Sequence, residues 1–153
     1  MYFLLFIAVY VHSQDWSKLQ LGTGVGNCGP TTAAMLIERS GQHITVQEAR
    51  MIIGYRQADG ATSFGDLKII LRRYNITFSS IRLSEYREGA MIVLLEMSRI
   101  SNKAHDYNGR HYVVIFGIKD GYYRVYDPLV RGEQLYSIEE VQRAQTGEII
   151  WTM

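Results

Sequence analysis

Hydrophobic positions recur at helical spacing through the first half of the chain. Residues 30–41 (PTTAAMLIERSG) combine a proline suited to a first helical turn, an apolar run, and a glycine suited to the position after the last turn. Residues 45–55 (TVQEARMIIGY) and 63–75 (SFGDLKIILRRYN) each open with Thr or Ser and carry an acidic residue three positions later, the spacing of a capping box. Helices are therefore predicted over these three segments.

Shorter apolar runs of strand-like character fill the second half of the chain. The strands predicted from these runs are 76–83, 90–97, 110–118, 122–128 and 148–153. A short fourth helix is predicted to begin after Ser137, because Glu140 stands at capping-box spacing. Helices first and antiparallel strands later predict an α+β domain, with the N-terminal helices packed on one side of an antiparallel sheet.

Composition and charge are those of an ordinary globular domain. The 153 residues suffice for one domain with a real core but not comfortably for two. Sixteen Lys and Arg against fifteen Asp and Glu give a net charge of +1 without a block of like charge, which argues against a nucleic-acid partner or an anionic membrane surface. The single cysteine excludes an internal disulfide framework and a cysteine-based zinc cluster.

Residues 1–13 (MYFLLFIAVYVHS) have the character of a secretory signal peptide. The apolar run over residues 2–11 is too short to cross a bilayer as a helix, and its length fits a signal-peptide core. Small or β-branched residues stand at the usual cleavage positions, although no Lys or Arg precedes the run. We expect cleavage, no integral membrane domain, and a secreted or periplasmic domain over residues 14–153. The alternatives are a buried N-terminal strand and a cytoplasmic location.

The only cysteine, Cys28, lies in a glycine-rich segment directly before the first predicted helix. Unpaired N–H groups and the positive end of the helix dipole favour an anion there. A free thiol ionises at about pH 8.5, and a helix N-terminus or an adjacent imidazolium lowers that pKa. Gly26 and Gly29 remove side-chain bulk, which would let a substrate backbone approach. The alternative for a lone cysteine is a small buried core residue.

A nucleophilic cysteine needs a general base, and His111 is the strongest candidate among the four histidines. It opens the most apolar strand of the second half, a rigid position from which a side chain can be aimed into a cleft. The expectation for His12, His43 and His105 is a solvated surface position, since they lie at a cleavage site, in an interhelix turn and in a polar loop.

The turn after this strand decides whether His111 has a carboxylate partner. A three-residue loop over 119–121 would place Asp127 diagonal to His111 on the same face of the hairpin. Diagonal neighbours are roughly 7–8 Å apart, within reach of His and Asp side chains. A two-residue Asp-Gly turn would shift the register by one and put the two side chains on opposite faces. A His111–Asp127 pair therefore requires a three-residue loop or a bulge.

An amide beside the Cys28 backbone N–H would stabilise the negative charge that builds on a carbonyl oxygen during nucleophilic attack. Gln20, upstream across a glycine-rich segment, can supply that amide. Gln14 and Asn27 are the alternatives, although Asn27 points away from Cys28 if the segment is extended. The sequence leaves the choice among the three amides open.

Taken together, these motifs resemble the bacteriocin-processing (double-glycine) peptidase family and its stand-alone relatives, a branch of the papain-like cysteine peptidases. The similar segments are Gln20, NCGPTTAAM over 27–35, GRHYVVI over 109–115 and YDP over 126–128. The resemblance covers nearly the whole chain from Gln20 onward. It implies a papain-like cysteine peptidase fold, hydrolysis of a peptide or protein substrate through a thioester acyl-enzyme, and no cofactor.

The same resemblance assigns roles to individual residues. Cys28 would be the nucleophile, His111 the general base and acid, and Asp127 the residue that orients His111. Gln20 would be the oxyanion donor, although the spacing from this glutamine to the cysteine varies among such proteins. The cleft would be flanked by Gly22, Gly24 and Gly26 together with the loop over 98–110, which would favour an extended substrate with small residues.

Other functions remain open on the sequence alone. The same triad would serve an amidase, transpeptidase or acyltransferase acting on a cell-wall peptide or a glutamine amide. A binding domain with an idle triad is a further alternative, and it predicts that Cys28→Ala leaves function intact. One candidate set of metal ligands comprises Cys28, His105, Asp106 and His111. The spacing of these residues along the chain is not that of a metal-binding motif, so no metal is expected. The oligomeric state is not indicated.

Overall fold

The computed structural model describes residues 15–20, 26–54 and 61–153. The predicted signal peptide over residues 1–13 lies outside the described residues. Three further residues named in the sequence analysis also lie outside the described residues: Gln14, Gly22 and Gly24. In the part of the chain that the structure describes, no helix has both the length and the apolar character needed to cross a membrane.

The N-terminal helices form where the sequence predicts them: α1 (Cys28–Arg39), α2 (Val46–Ile53) and α3 (Phe64–Arg73). Thr45 and Ser63 cap α2 and α3. Each cap side chain accepts a hydrogen bond from the backbone N–H three residues on, and the acidic residue there accepts one from the backbone N–H of the cap. Each cap is worth about 1 kcal/mol. Helix α1 begins at Cys28 itself, so the thiol lies in the first helical turn.

Within the described ranges the strands form a six-stranded antiparallel sheet in the order β1-β6-β2-β3-β4-β5. The strands are β1 (Ser79–Ser80), β2 (Ala90–Glu96), β3 (Arg110–Lys119), β4 (Tyr122–Tyr126), β5 (Glu133–Ser137) and β6 (Gln145–Thr152). Helix α4 (Ile138–Ala144) connects β5 to β6. The strand that carries His111 is therefore central, which gives the site a rigid base.

The two faces of the sheet carry separate apolar cores. Tyr112 and Val114 of β3 face the core shared with α1, α2 and α3, while Val113 faces the other side, because successive side chains of a strand alternate. Val141 of α4 lies in that second core. The α+β class and the packing of the N-terminal helices on one side of the sheet are thus confirmed, and α4 packs on the opposite face.

Both edge strands differ from the sequence prediction. Strand β1 is two residues long where the pattern predicts a strand over 76–83. Strand β5 is not predicted at all, because its sequence EQLYS buries only Tyr136 fully. An edge strand pairs on one side only and contributes few side chains to a core, so its hydrophobic pattern is weak.

Candidate active site

The turn between β3 and β4 has two residues rather than three. Asp120 and Gly121 both have positive φ, 51° and 82°, and Lys119 pairs with Tyr122. These features define a type I′ turn, in which both central residues occupy the left-handed region. The first of the two conditions for a His111–Asp127 pair, a three-residue loop, is therefore not met, because an Asp-Gly sequence favours the tighter turn.

A β-bulge restores the register that a His111–Asp127 pair needs. The pairing shifts between Ile115 and Gly117 of β3, so Phe116 is the extra residue. A shift of one residue brings His111 and Asp127 back to the same face. The prediction of a three-residue loop or a bulge is confirmed through the bulge. Gly117 was the available sequence signal, since a glycine inside a strand often marks a bulge.

The Asp127 carboxylate is fully buried and takes part in four hydrogen bonds. Its Oδ1 lies 2.8 Å from Nε2 of His111 and accepts from the Leu129 backbone N–H, also at 2.8 Å. Its Oδ2 accepts from the Tyr136 hydroxyl at 2.6 Å and lies 3.0 Å from Nε2 of His105. Burial alone would raise the pKa of this carboxyl, but the hydrogen bonds hold that pKa well below its usual range.

His105 belongs to this network, so its predicted position on the solvated surface is wrong. Its side chain is 11 % exposed, and its Nδ1 accepts a hydrogen bond from the Tyr107 backbone N–H at 3.2 Å. No local sequence pattern reveals the contact, because 22 residues separate His105 from Asp127. His43, by contrast, is exposed as expected.

Cys28 and His111 line the same cleft and lie close enough for each side chain to shift the pKa of the other. Nε2 of His111 is engaged by Asp127, which leaves Nδ1 as the ring nitrogen available to the thiol. Packing of α1 against β3 brings the first turn of the helix to the start of the strand. Cys28 is only partly buried, so a substrate can reach the sulfur. Cys28 also packs against the core beneath α1, so it lies at the boundary between that core and the cleft and is not fully buried.

Neighbouring charges control the pKa values of this pair. Burial alone raises the pKa of the Cys28 thiol, but the hydrogen bond and positive charge of His111 outweigh it and lower that pKa below its ordinary value. Backbone hydrogen bonds from Tyr112 and Gly29 act in the same direction. Burial alone lowers the pKa of His111, but its bonds with Asp127 and Cys28 raise it from 6.5 to about 9. Both shifts favour a thiolate beside an imidazolium over the uncharged pair.

A cleft of about 420 Å³ opens over the thiol. Cys28 and His111 line it together with Gln20, so the structure brings three of the four predicted site residues to one surface. Asp127 lies behind His111 rather than in the cleft wall. Asn27 is 5 % exposed and is not among the described residues that line the cleft. Of the two considered amides that the structure describes, Gln20 and Asn27, only Gln20 lines the cleft.

The segment that carries Gln20 is held against the β3–β4 hairpin. The Trp16 ring packs edge-on against Phe116 and Tyr126, with centroids 5.3 and 4.6 Å away. The backbone N–H of Gln20 donates to the Pro128 carbonyl at 2.9 Å. The residue that forms the bulge thus also anchors the segment that brings Gln20 to the cleft.

Gly29 lies against the Thr62 side chain of the same protein, where the sequence predicts room for a substrate backbone. A Cβ at this position would lie 2.7 Å from the Cβ and Cγ2 atoms of Thr62, whose hydroxyl donates to the Gly26 carbonyl at 2.8 Å. A side chain at Gly29 would collide with the protein and not with an approaching substrate, so that expectation is wrong for Gly29. Gly26 does line the cleft.

Three ligand-type side chains meet beside the cleft. His105, His111 and Asp127 place one nitrogen or oxygen atom each within 4.8 Å of one another, a spacing that a metal ion could use. The hydrogen bonds fit a protonated network instead, because the carboxylate oxygens already face two ring nitrogens. A metal would have to displace those protons. The cluster also differs from the set considered from the sequence, which included Cys28 and Asp106.

Solved structures share this fold. The peptidase domain of Streptococcus ComA, a bi-functional ABC transporter involved in a quorum sensing pathway, matches with a TM-score of 0.69 at 19 % identity, over 89 % of this chain and 96 % of that one. A double glycine motif protease from an AMS/PCAT transporter, solved with the leader peptide, matches with a TM-score of 0.65 at 20 % identity, over 90 % and 92 %. The peptidase domain of Streptococcus mutans ComA gives 0.59 at 16 %, over 90 % and 98 %.

Sequence comparison identifies the family, which likeness of fold alone does not. A search of curated protein sequences finds no significant match. The model of the Peptidase C39 family, however, matches residues 18–153, a range that contains Gln20, the α1 start and the whole β3–β4 hairpin. The fold is that of papain-like C39 peptidase domains. The chain therefore belongs to the Peptidase C39 family and is a cysteine peptidase.

Proposed function

We propose that this protein hydrolyses peptide bonds with Cys28, His111 and Asp127 as its catalytic triad. The observation that carries the proposal is that the Cys28 thiol and His111 line one cleft, and that Nε2 of His111 lies 2.8 Å from the buried Asp127 carboxylate. A nucleophile, a base in contact with it and a group that orients the base are the parts that acyl transfer requires.

The chemistry proceeds in two steps. In acylation, the Cys28 thiolate attacks the carbonyl carbon, the C–N bond breaks, and His111 donates its proton to the leaving nitrogen, which gives a thioester and a free amine. In deacylation, His111 takes a proton from water as the water oxygen attacks the thioester. The C–S bond then breaks, the carboxylic acid leaves, and the thiolate and imidazolium are restored. Asp127 keeps the His111 ring oriented and stabilises its positive charge.

The oxyanion formed in each step needs hydrogen-bond donors. We propose that the Gln20 side-chain amide and the Cys28 backbone N–H supply them. Gln20 lines the same cleft as the thiol, and Cys28 is the first residue of α1, where backbone N–H groups have no intrahelical partner. Loss of one such donor lowers kcat by about 10²–10³-fold.

The substrate proposed is a peptide segment bound in extended form, with small residues beside the scissile bond. The cleft is bounded near His111 by the Tyr107 ring, whose centroid lies 5.7 Å from that of the imidazole. Gly26 forms part of the wall near the thiol. The double glycine motif protease with a similar fold was solved with the leader peptide, which supports a peptide as the ligand class.

A peptide library tests the proposed activity. The full chain is incubated with mixed-sequence peptides, and the cut products are identified by mass spectrometry. We expect cleavage that Cys28→Ala and His111→Ala abolish and that His43→Ala, a matched exposed-histidine control, leaves intact. Equal cutting beside bulky and small residues would overturn the proposed specificity. Cleavage that survives Cys28→Ala would overturn the triad.

The same assay separates hydrolysis from the other reactions of an acyl-enzyme. With an added amine nucleophile, a hydrolase still releases mainly the free acid, whereas a transpeptidase or acyltransferase joins the acyl group to the amine. An amidase cuts a glutamine side chain and leaves the backbone intact. Biological function that persists in Cys28→Ala would assign a binding domain in place of an enzyme.

We also propose that residues 1–13 are a signal peptide and that the protein works outside the cytoplasm. The support is the length and apolar character of residues 2–11. The intact mass of the protein recovered from a secreting host tests this directly. A chain that begins at Gln14 is expected, and a full-length chain retained in the cytoplasm would overturn the proposal.

A further inference from the structure

Two histidines share the Asp127 carboxylate, one on each oxygen. His111 contacts Oδ1, and His105 contacts Oδ2 from the loop that leads into β3. The ring centroids lie 5.8 Å apart, with the planes at 70°. The mechanism proposed above uses only His111, so His105 is a largely buried imidazole with a polar contact and no assigned role.

The loop over residues 101–109 is tied to its surroundings, which fixes the approach of His105. The Asn102 side-chain amide donates to the Leu135 carbonyl of β5 at 2.6 Å. At the other end of the loop, the Gly109 carbonyl accepts a backbone hydrogen bond at 3.0 Å. The imidazole therefore reaches Asp127 from a segment anchored on both sides.

A hydrogen bond on the far side of the ring determines where the His105 proton lies. The Tyr107 backbone N–H donates to Nδ1 at 3.2 Å. A nitrogen that accepts carries no proton, so Nε2 carries the proton of the neutral ring and donates it to Oδ2 of Asp127. A neutral donor stabilises the carboxylate charge without repelling the imidazolium on His111.

We propose that His105 is a positioning residue for the reaction: its Nε2–H holds Oδ2 of Asp127 so that Oδ1 stays directed at His111. The proposal rests on the function proposed above for Cys28 and His111. Without this donor, Oδ2 keeps only the hydrogen bond from Tyr136, and the carboxylate can turn away from Nε2 of His111. The imidazolium would then lose orientation and stabilisation.

A competing role follows from the position of His105 in the cleft wall. A residue that only contacts substrate changes KM, whereas a residue that acts through Asp127 and His111 changes kcat. The two roles are therefore separable by steady-state kinetics. A purely structural role would change the thermal midpoint and leave the catalytic parameters of the folded protein unchanged.

The decisive variants are His105→Gln and His105→Met, which are similar in length and differ in hydrogen bonding. The glutamine amide nitrogen replaces the Nε2 donor, and methionine offers none. A peptide cut in the library assay serves as the substrate. We expect H105Q to keep kcat near the wild-type value and H105M to lose about 10–100-fold in kcat, with little change in KM. Equal kcat values for the two folded variants, or a loss in KM alone, would overturn the proposal.

A folding defect in H105M would leave the test intact, because His105→Asn then replaces it. The asparagine amide corresponds to the Nδ1 position and does not reach Oδ2, so H105N is expected to show the same loss as H105M. An H105N variant as active as H105Q would overturn the proposal.

Alkylation of Cys28 by iodoacetamide separates this proposal from the peptidase proposal, because it needs no peptide substrate. The groups that face Asp127 are His105, His111 and Tyr136, and Cys28 faces His111. We expect the acid limb of the alkylation profile to move to higher pH in H105M and to stay in place in H105Q. Coincident profiles would overturn the role of His105, even where no peptide is cut.

Discussion

His111 and Asp127 lie on the same face of the β3–β4 hairpin because β3 contains one extra residue, Phe116. The two-residue turn at the tip of the hairpin would by itself place the two side chains on opposite faces. The bulge reverses that effect and brings Nε2 of His111 to 2.8 Å from Oδ1 of Asp127. The proposed base and its orienting carboxylate thus depend on an irregularity of the strand.

Asp127→Asn is expected to damage both stability and activity. An asparagine turns one of the two oxygens into an NH₂ group, which must then face protons on His111 and Leu129 or on His105 and Tyr136. Buried donors left without an acceptor cost about 1–3 kcal/mol of unfolding free energy.

The loss of an oriented imidazole should lower kcat by 10²-fold or more, on the order of other acid-to-amide changes in triads. Urea unfolding and peptide cleavage measure the two effects. Asp106→Asn, in the loop before β3, is the exposed control and should change neither. An active and equally stable Asp127→Asn variant would contradict the assigned role.

The pH dependence of kcat/KM should be bell-shaped. The acid limb reports formation of the Cys28 thiolate, whose pKa lies below the ordinary thiol value. The alkaline limb should lie at about 9, where His111 loses the proton that the leaving amine needs. Because Asp127 raises the pKa of His111, the alkaline limb should move to lower pH in Asp127→Asn. An alkaline limb that stays in place would show that the carboxylate does not control the imidazole.

Trp16→Ala tests whether the aromatic anchor positions Gln20. Loss of the ring contacts with Phe116 and Tyr126 frees the segment that carries the proposed oxyanion donor. The expected result is a fall in kcat that approaches the one in Gln20→Ala, about 10²-fold or more. The kcat of the double variant should be little lower than that of Gln20→Ala, since both changes remove the same interaction of Gln20 with the oxyanion. Fully additive losses would indicate separate roles.

Gly29→Ala should destabilise the protein and lower its activity. The added methyl group would lie 2.7 Å from Thr62, which must move away from the start of α1. Overpacking of this kind costs about 1–3 kcal/mol. Gly65→Ala is a matched control, because Gly65 is also the second residue of its helix and the new Cβ would meet only the Ser63 hydroxyl at 3.5 Å. Thermal unfolding of both variants measures the difference. Equal destabilisation would contradict the claim that Thr62 leaves no room for a side chain at Gly29.

Local sequence signals account for the helices and for most of the site. Capping boxes at Thr45 and Ser63 mark the second and third helices, and both boxes form. Cys28 is the first residue of α1 and His111 is the second residue of β3, positions that are readable without tertiary information.

The remaining features depend on contacts that no short pattern records. The bulge at Phe116 follows from how β3 pairs with its neighbours, and the sequence alone leaves the choice between loop and bulge open. The bond from His105 to Asp127 joins a polar loop to the end of β4. Tyr136 reaches the same carboxylate from an edge strand whose hydrophobic pattern is too weak to predict.

Acid quenching of the enzyme during peptide turnover, followed by peptide mapping of the trapped adduct, tests the central claim most directly. A thioester adds the mass of the acyl fragment to the peptide that carries it and survives at low pH. The position of the added mass therefore identifies the nucleophile. The account predicts an adduct on the peptide that contains Cys28 and no adduct in His111→Ala. Peptide cleavage with no adduct on Cys28, together with full activity in Cys28→Ala, would contradict it.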